Sequence, residues 1–130
     1  MEVKTLFVGE ALRFAAQAEL CKQLCRFLLF GGNIVEGSHS IPVVADITVE
    51  EMDLTQMDML VLPGGLGGVA SIMASEASMD AVRFTWENGK FLGAICAGPT
   101  ILASLGILDG KNATCYPGCE EKMGKANILP

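Results

Sequence analysis

The sequence predicts an α/β domain built on a parallel sheet with helices covering both faces. Three observations carry this prediction. Short, almost wholly apolar segments recur at Lys4–Val8, Ile41–Ala45, Met59–Leu62 and Phe91–Ile95, as strands buried on both faces do. Longer segments of helical character lie between them, and that alternation is the mark of α/β architecture. Gly- and Pro-rich breaks separate the two kinds of segment. At 130 residues the chain has the length of one domain, residues 1–130, with room for one sizeable core.

Taken in order, Lys4–Val8 suits a buried first strand. Ala11–Phe30 is rich in Ala, Leu, Gln and Arg and free of Gly and Pro; it reads as a helix closed by Gly31-Gly-Asn33. Glu36–Ser40 is turn-rich. In the strand Ile41–Ala45, Pro42 favours an edge or strand-start position. Met59–Leu62 is a clean buried strand stopped by Pro63-Gly-Gly-Leu-Gly-Gly68. Ser78–Asn88 is a helix ended by Gly89, Phe91–Ile95 a further buried strand, and Pro99–Leu105 a second helix. Lys111–Cys115 reads as one more strand. No internal repeat, linker or low-complexity segment interrupts this order.

Composition narrows the function. The chain is 51% hydrophobic and 18% charged, which is globular rather than disordered. A net charge of −6 without any basic stripe argues against nucleic acid or an anionic membrane as partner. The apolar run near Phe27–Phe30 is far too short to span a bilayer. The Met1-Glu-Val-Lys4 start lacks the layout of a signal peptide, so a cytoplasmic location with reduced thiols is expected. The five cysteines lack metal-ligand spacing, and His39 is the single histidine. No metal site is expected.

Two loops at strand C-terminal ends, where open α/β sheets place ligands, decide the chemistry. Cys96 ends the strand in Phe91-Leu-Gly-Ala-Ile-Cys-Ala-Gly-Pro-Thr100. Pro99 is well suited to the first helical turn, having no orphan N–H to lose. The thiol therefore sits at a helix N-terminus, where N–H groups and the macrodipole favour a thiolate. Small neighbours at Ala97 and Gly98 permit a tight elbow that pushes the sulfur outward. The second loop, with Gly64 and Gly65, lets backbone approach a ligand closely. Together the loops form a candidate oxyanion hole, with the N–H groups of Gly65 and Ala97 as donors.

Val61-Leu-Pro-Gly-Gly65 followed by Ala94-Ile-Cys-Ala-Gly-Pro99 resembles the ThiJ/PfpI family, in the branch of the Parkinson-linked protein deglycase. Ala113-Thr-Cys-Tyr-Pro-Gly118 resembles its next strand, and Glu36-Gly-Ser-His39 a turn of its bacterial members; the match runs from about Val35 to Gly118. The resemblance implies a flavodoxin-like, class I glutamine amidotransferase-like sandwich, a homodimer, and no cofactor. It implies Cys96 as nucleophile, with Gly65 and Ala97 as oxyanion donors and Gly64 and Tyr116 beside the substrate. A family glutamic acid that hydrogen-bonds the sulfur corresponds best to Glu19, with Glu10 as the rival. Such a carboxyl must keep its proton, because a carboxylate would raise the thiol pKa. Tyr116 stands where some members carry histidine, and can position a carbonyl or water but not act as base at neutral pH. Ala97 replaces the His of the protease-like branch, so peptide hydrolysis by a Cys-His pair is not expected. His39 is expected to make a structural turn hydrogen bond.

Three departures from the family pattern stand out. The first strand-helix corner, Gly9–Gln17, lacks the acidic, glycine-containing stretch usual there. Little room remains between Gly32 and Glu36 for the family's second strand. The sequence reaches only Pro130, where members continue through more strands and a helix, so the fold is expected to be incomplete at its C-terminus. Apolar surface is then expected at one edge or face of the sheet, covered by a partner copy or rearranged elements. Three readings follow: a cysteine-dependent, glyoxalase III- or deglycase-type enzyme acting on small reactive carbonyls; a non-enzymatic oxidative-stress sensor or chaperone using Cys96 oxidation; or an inactive truncated paralogue.

Overall fold

The computed structural model describes residues 5–8, 25–29, 34–36 and 40–129. Five strands form its main sheet: β1 (Thr5–Val8), β2 (Cys25–Leu29), β5 (Ile47–Thr48), β6 (Met59–Leu62) and β7 (Phe91–Ala94). Their spatial order is β5-β2-β1-β6-β7, and every pairing is parallel. Val61 registers with Phe7 on one side and Gly93 on the other. Parallel pairing on both sides is what the unbroken run Met-Leu-Val-Leu predicts for β6, whose Leu60 and Leu62 are completely buried.

Part of the expected first helix is a strand. Within Ala11–Phe30, residues Cys25–Leu29 form β2, paired with β1 from Thr5↔Cys25 to Val8↔Leu28. A short apolar run has no periodicity that separates buried strand from buried helix, and Cys-Arg-Phe-Leu-Leu continues the helix-like composition before it without a break. Sixteen residues, 9–24, connect β1 to β2, enough for the crossover that parallel strands require. The second strand therefore precedes Gly31-Gly32 rather than following it. Gly31–Asn33 and His39 lie outside the described residues, so the helix closure and turn bond assigned to them do too.

Two short ribbons stand apart from the sheet. Ile41–Ala45 contributes β4 (Pro42–Val44), antiparallel to β3 (Ile34–Glu36), with Pro42 at the strand start. The strand expected over Lys111–Cys115 contracts to β8 (Asn112–Ala113), which pairs with β9 (Asn127–Ile128).

Three α-helices occur among the described residues: α1 (Leu66–Ala74), α2 (Glu76–Glu87) and α3 (Pro99–Ser104). The glycine loop is shorter than Pro63–Gly68 suggests, because α1 opens at Leu66 and takes in Gly67 and Gly68. Each glycine costs about 1 kcal/mol against alanine in a helix, but Val69 and Ile72 gain burial in the core. Ser75 caps α2 by accepting from the Ser78 N–H. The core joins Leu60 and Leu62 to Ile72, Val82, Ile101 and Cys119. At the end of the sheet order, β7 carries Phe91, which is 70% exposed.

Candidate active site

Strand β7 ends beside β6, where the Ile95 N–H donates to the Leu62 carbonyl at 3.1 Å. The next residue, Cys96, has φ of 60°, the left-handed region that a side chain occupies only at a cost. Direction then reverses within three residues. Gly98 N–H donates to Ile95 O at 2.9 Å, and Ile101 N–H donates to Gly98 O at 3.0 Å. Thr100 fastens the turn twice, through its N–H (3.1 Å) and its hydroxyl (2.7 Å), both donating to Ala97 O. Pro99 occupies the first turn of α3, as its fixed φ favours. The result is an exposed thiol at the C-terminal end of a central-sheet strand, with Ala97 buried behind it.

The glycine loop meets this elbow directly. A Cβ built on Gly64 would collide with the Cys96 Cβ, and would lie 2.7 Å from its Sγ and 3.0 Å from the Ala97 N. Gly64 is thus glycine because sulfur and backbone occupy the space a side chain would fill. Gly65 follows at φ of 89°, and its carbonyl accepts the first helical bond of α1 from the Val69 N–H at 2.9 Å. A third segment closes the site. Tyr116 N–H donates to Cys96 O at 2.9 Å, while the residue as a whole is 57% exposed.

The structure therefore brings together Gly64, Cys96, Ala97 and the Tyr116 backbone, with Gly65 next in chain. Glu19 and Glu10 lie outside the described residues. Sequence reasoning did not single out Thr100, whose signal was a hydroxyl residue directly after the helix-opening proline. It also left Cys115 unassigned. Burial pushes that thiol's pKa up, with smaller contributions from Glu120 and Cys119. Among the described residues no group of three His, Cys, Asp or Glu side chains is arranged to hold a metal ion. No helix among them is long and apolar enough to cross a membrane.

The left-handed backbone at position 96 can be measured by substitution. Cys96→Gly is expected to be more stable than Cys96→Ala by about 1 kcal/mol in urea unfolding, because only alanine keeps the Cβ–carbonyl crowding. Equal stabilities would show that the elbow relaxes.

A strand-ending thiol in a left-handed strand-to-helix elbow, backed by a glycine loop on the neighbouring strand, marks a protein of the flavodoxin-like α/β class. The DJ-1/PfpI family model matches residues 14–129, and the chain belongs to that family. It is 35% identical over 95 residues to Protein dj-1beta of Drosophila melanogaster, a match covering 73% of this chain and 51% of that protein. It is 33% identical over 99 residues to Deglycase PfpI of Pyrococcus furiosus, covering 76% and 59%. The crystal structure of Drosophila melanogaster DJ-1beta superposes with a TM-score of 0.86 at 26% identity, covering 100% of this chain and 76% of that one. The C103A mutant of a DJ-1 superfamily protein from Salmonella typhimurium shares the fold, with a TM-score of 0.85 at 24% identity, covering 99% and 74%. The chain thus spans a little over half the length of these two relatives.

Proposed function

We propose that the protein is a cofactor-free, cysteine-dependent enzyme acting on small reactive carbonyls such as methylglyoxal or their adducts. One observation carries the reading: an exposed thiol held in a left-handed elbow, its sulfur against Gly64 where no side chain can intervene. Relatives named as deglycases support it. In this mechanism the Cys96 thiolate attacks the aldehyde carbon, a C–S bond forms, and the carbonyl π electrons move to oxygen. The N–H groups of Ala97 and Gly65 stabilise that oxyanion. Protonated Glu19 supplies the proton that completes the hemithioacetal, and takes one back in the next step. Tyr116 orients the substrate oxygen or a water. The active unit in this reading is a homodimer.

The test is turnover of methylglyoxal by purified protein and by Cys96→Ser. Wild-type turnover with activity in the variant at background is the expected result. Activity retained by Cys96→Ser would refute the mechanism. A sensor reading rests on the same exposed thiol. It predicts selective addition of two oxygen atoms to Cys96 under mild peroxide, with no aldehyde turnover.

A further inference from the structure

The loop that carries Tyr116 holds two more thiols, Cys115 and Cys119, separated by Tyr116-Pro-Gly118. Its two ends point inward and its middle points out. Cys119 is 4% exposed and belongs to the core, Cys115 is half-buried against the same core, and Tyr116, Pro117 and Gly118 are exposed. The chain reverses between the two thiols. Cys119 N–H donates to Tyr116 O at 3.0 Å, Gly118 takes a φ of 94°, and its N–H donates to a Glu120 carboxylate oxygen at 2.7 Å. That turn brings the Tyr116 and Cys119 Cα atoms within about 7 Å of each other, with Cys115 adjoining Tyr116 in the chain; a disulfide spans about 4.4–6.8 Å between Cα atoms. Cys115 stands one residue before that turn and packs against the same core cluster that contains Cys119. Burial, and to a smaller extent the nearby Glu120 and Cys119, hold the Cys115 pKa up.

We infer that Cys115 and Cys119 form a redox clasp, a dithiol that closes to a disulfide around Tyr116 when it meets a low-molecular-weight disulfide such as oxidised glutathione. Cys115, the more accessible thiol, loses its proton to solvent and attacks one glutathione sulfur. The S–S bond of glutathione disulfide breaks, and the first glutathione leaves as thiolate and is protonated. Deprotonated Cys119 then attacks the Cys115 sulfur and expels the second glutathione. Two protein thiols are oxidised to one disulfide, and one glutathione disulfide is reduced to two thiols. The closed ring contains Tyr116, whose N–H holds the Cys96 carbonyl at 2.9 Å. Closure therefore acts on the elbow. This coupling bears on the proposed function through Cys96, but its test does not depend on turnover.

The experiment treats the folded full chain, carrying Cys96→Ser so that the oxidant acts on the loop, with oxidised glutathione at a concentration that fully oxidises the urea-unfolded chain. After free thiols are blocked, trypsin releases Asn112–Lys122, which holds Cys115 and Cys119 and no other cysteine. The expected peptide is lighter by two hydrogens and carries no adduct. Cys119→Ala should instead yield a persistent glutathione adduct on Cys115, and Cys115→Ala an unmodified Cys119. Adducts alone, or two free thiols, in the peptide from the parent chain would overturn the clasp. Amide hydrogen exchange at Tyr116 reads the coupling. Closure is expected to change it by about five-fold or more, the lower end of coupling between sites. An unchanged rate in the disulfide form would overturn the link to the elbow.

Discussion

Gly98→Ala is expected to lower stability by about 3 kcal/mol, at the upper end of what overpacking costs. Local conformation does not forbid the change. Gly98 has φ of −53° and ψ of −39°, ordinary helical values, and helix propensity alone would favour alanine by about 1 kcal/mol. Sterics opposes it more strongly. A Cβ there would be driven into the Leu62 carbonyl oxygen, and would lie 2.9 Å from Ile95 O and 3.2 Å from Ile95 N. All three atoms are backbone, at the ends of adjoining strands β6 and β7, so no side-chain rotation relieves the contact. Urea unfolding followed by Trp86 fluorescence measures the effect. A midpoint equal to wild type would mean that the elbow has space the structure does not show.

Gly64→Ala is expected to act on the chemistry more than on the fold. The added methyl collides with the Cys96 Cβ, whose place is fixed by the left-handed backbone, so rotating the sulfur away does not remove the clash. Either the glycine loop retreats from the elbow or the thiol is displaced from its place beside Ala97. Alkylation of Cys96 by iodoacetamide should slow at least ten-fold, about 1.4 kcal/mol of activation free energy. Methylglyoxal turnover should fall at least as far. Wild-type alkylation kinetics in a folded Gly64→Ala protein would show that the contact between loop and sulfur is dispensable.

These two glycines also mark how far the sequence could be read. Strands β6 and β7 and helices α2 and α3 were legible because Gly or Pro bounds each apolar or amphipathic run on at least one side. The elbow was legible for the same reason, since Cys-Ala-Gly-Pro after an apolar run leaves few backbone paths. Strand β2 was not. Its five residues continue a helix-like composition without a break, and only pairing with β1 and β5 distinguishes them. Helix α1 was hidden by Gly67 and Gly68, whose unfavourable propensity is overridden by the burial of Val69 and Ile72. The steric demand on Gly64 was not legible either. Sequence placed it beside a substrate; the structure adds that a side chain there would run into the Cys96 Cβ and sulfur. That packing joins residues 32 positions apart and could not be read from either segment alone.

The left-handed backbone at Cys96 has a consequence for descent. In a lineage released from any need for sulfur, substitution at this position would be filtered by conformation alone. Glycine and asparagine enter that region at little cost, whereas alanine or serine keeps the crowding. Drift would accordingly run toward Gly or Asn, and relatives that have lost the chemistry should be enriched in those two residues at the elbow. A cysteine is neither of the conformationally favoured choices. Its presence in this chain is what the proposed need for a thiol would maintain against the preference of the backbone that bears it.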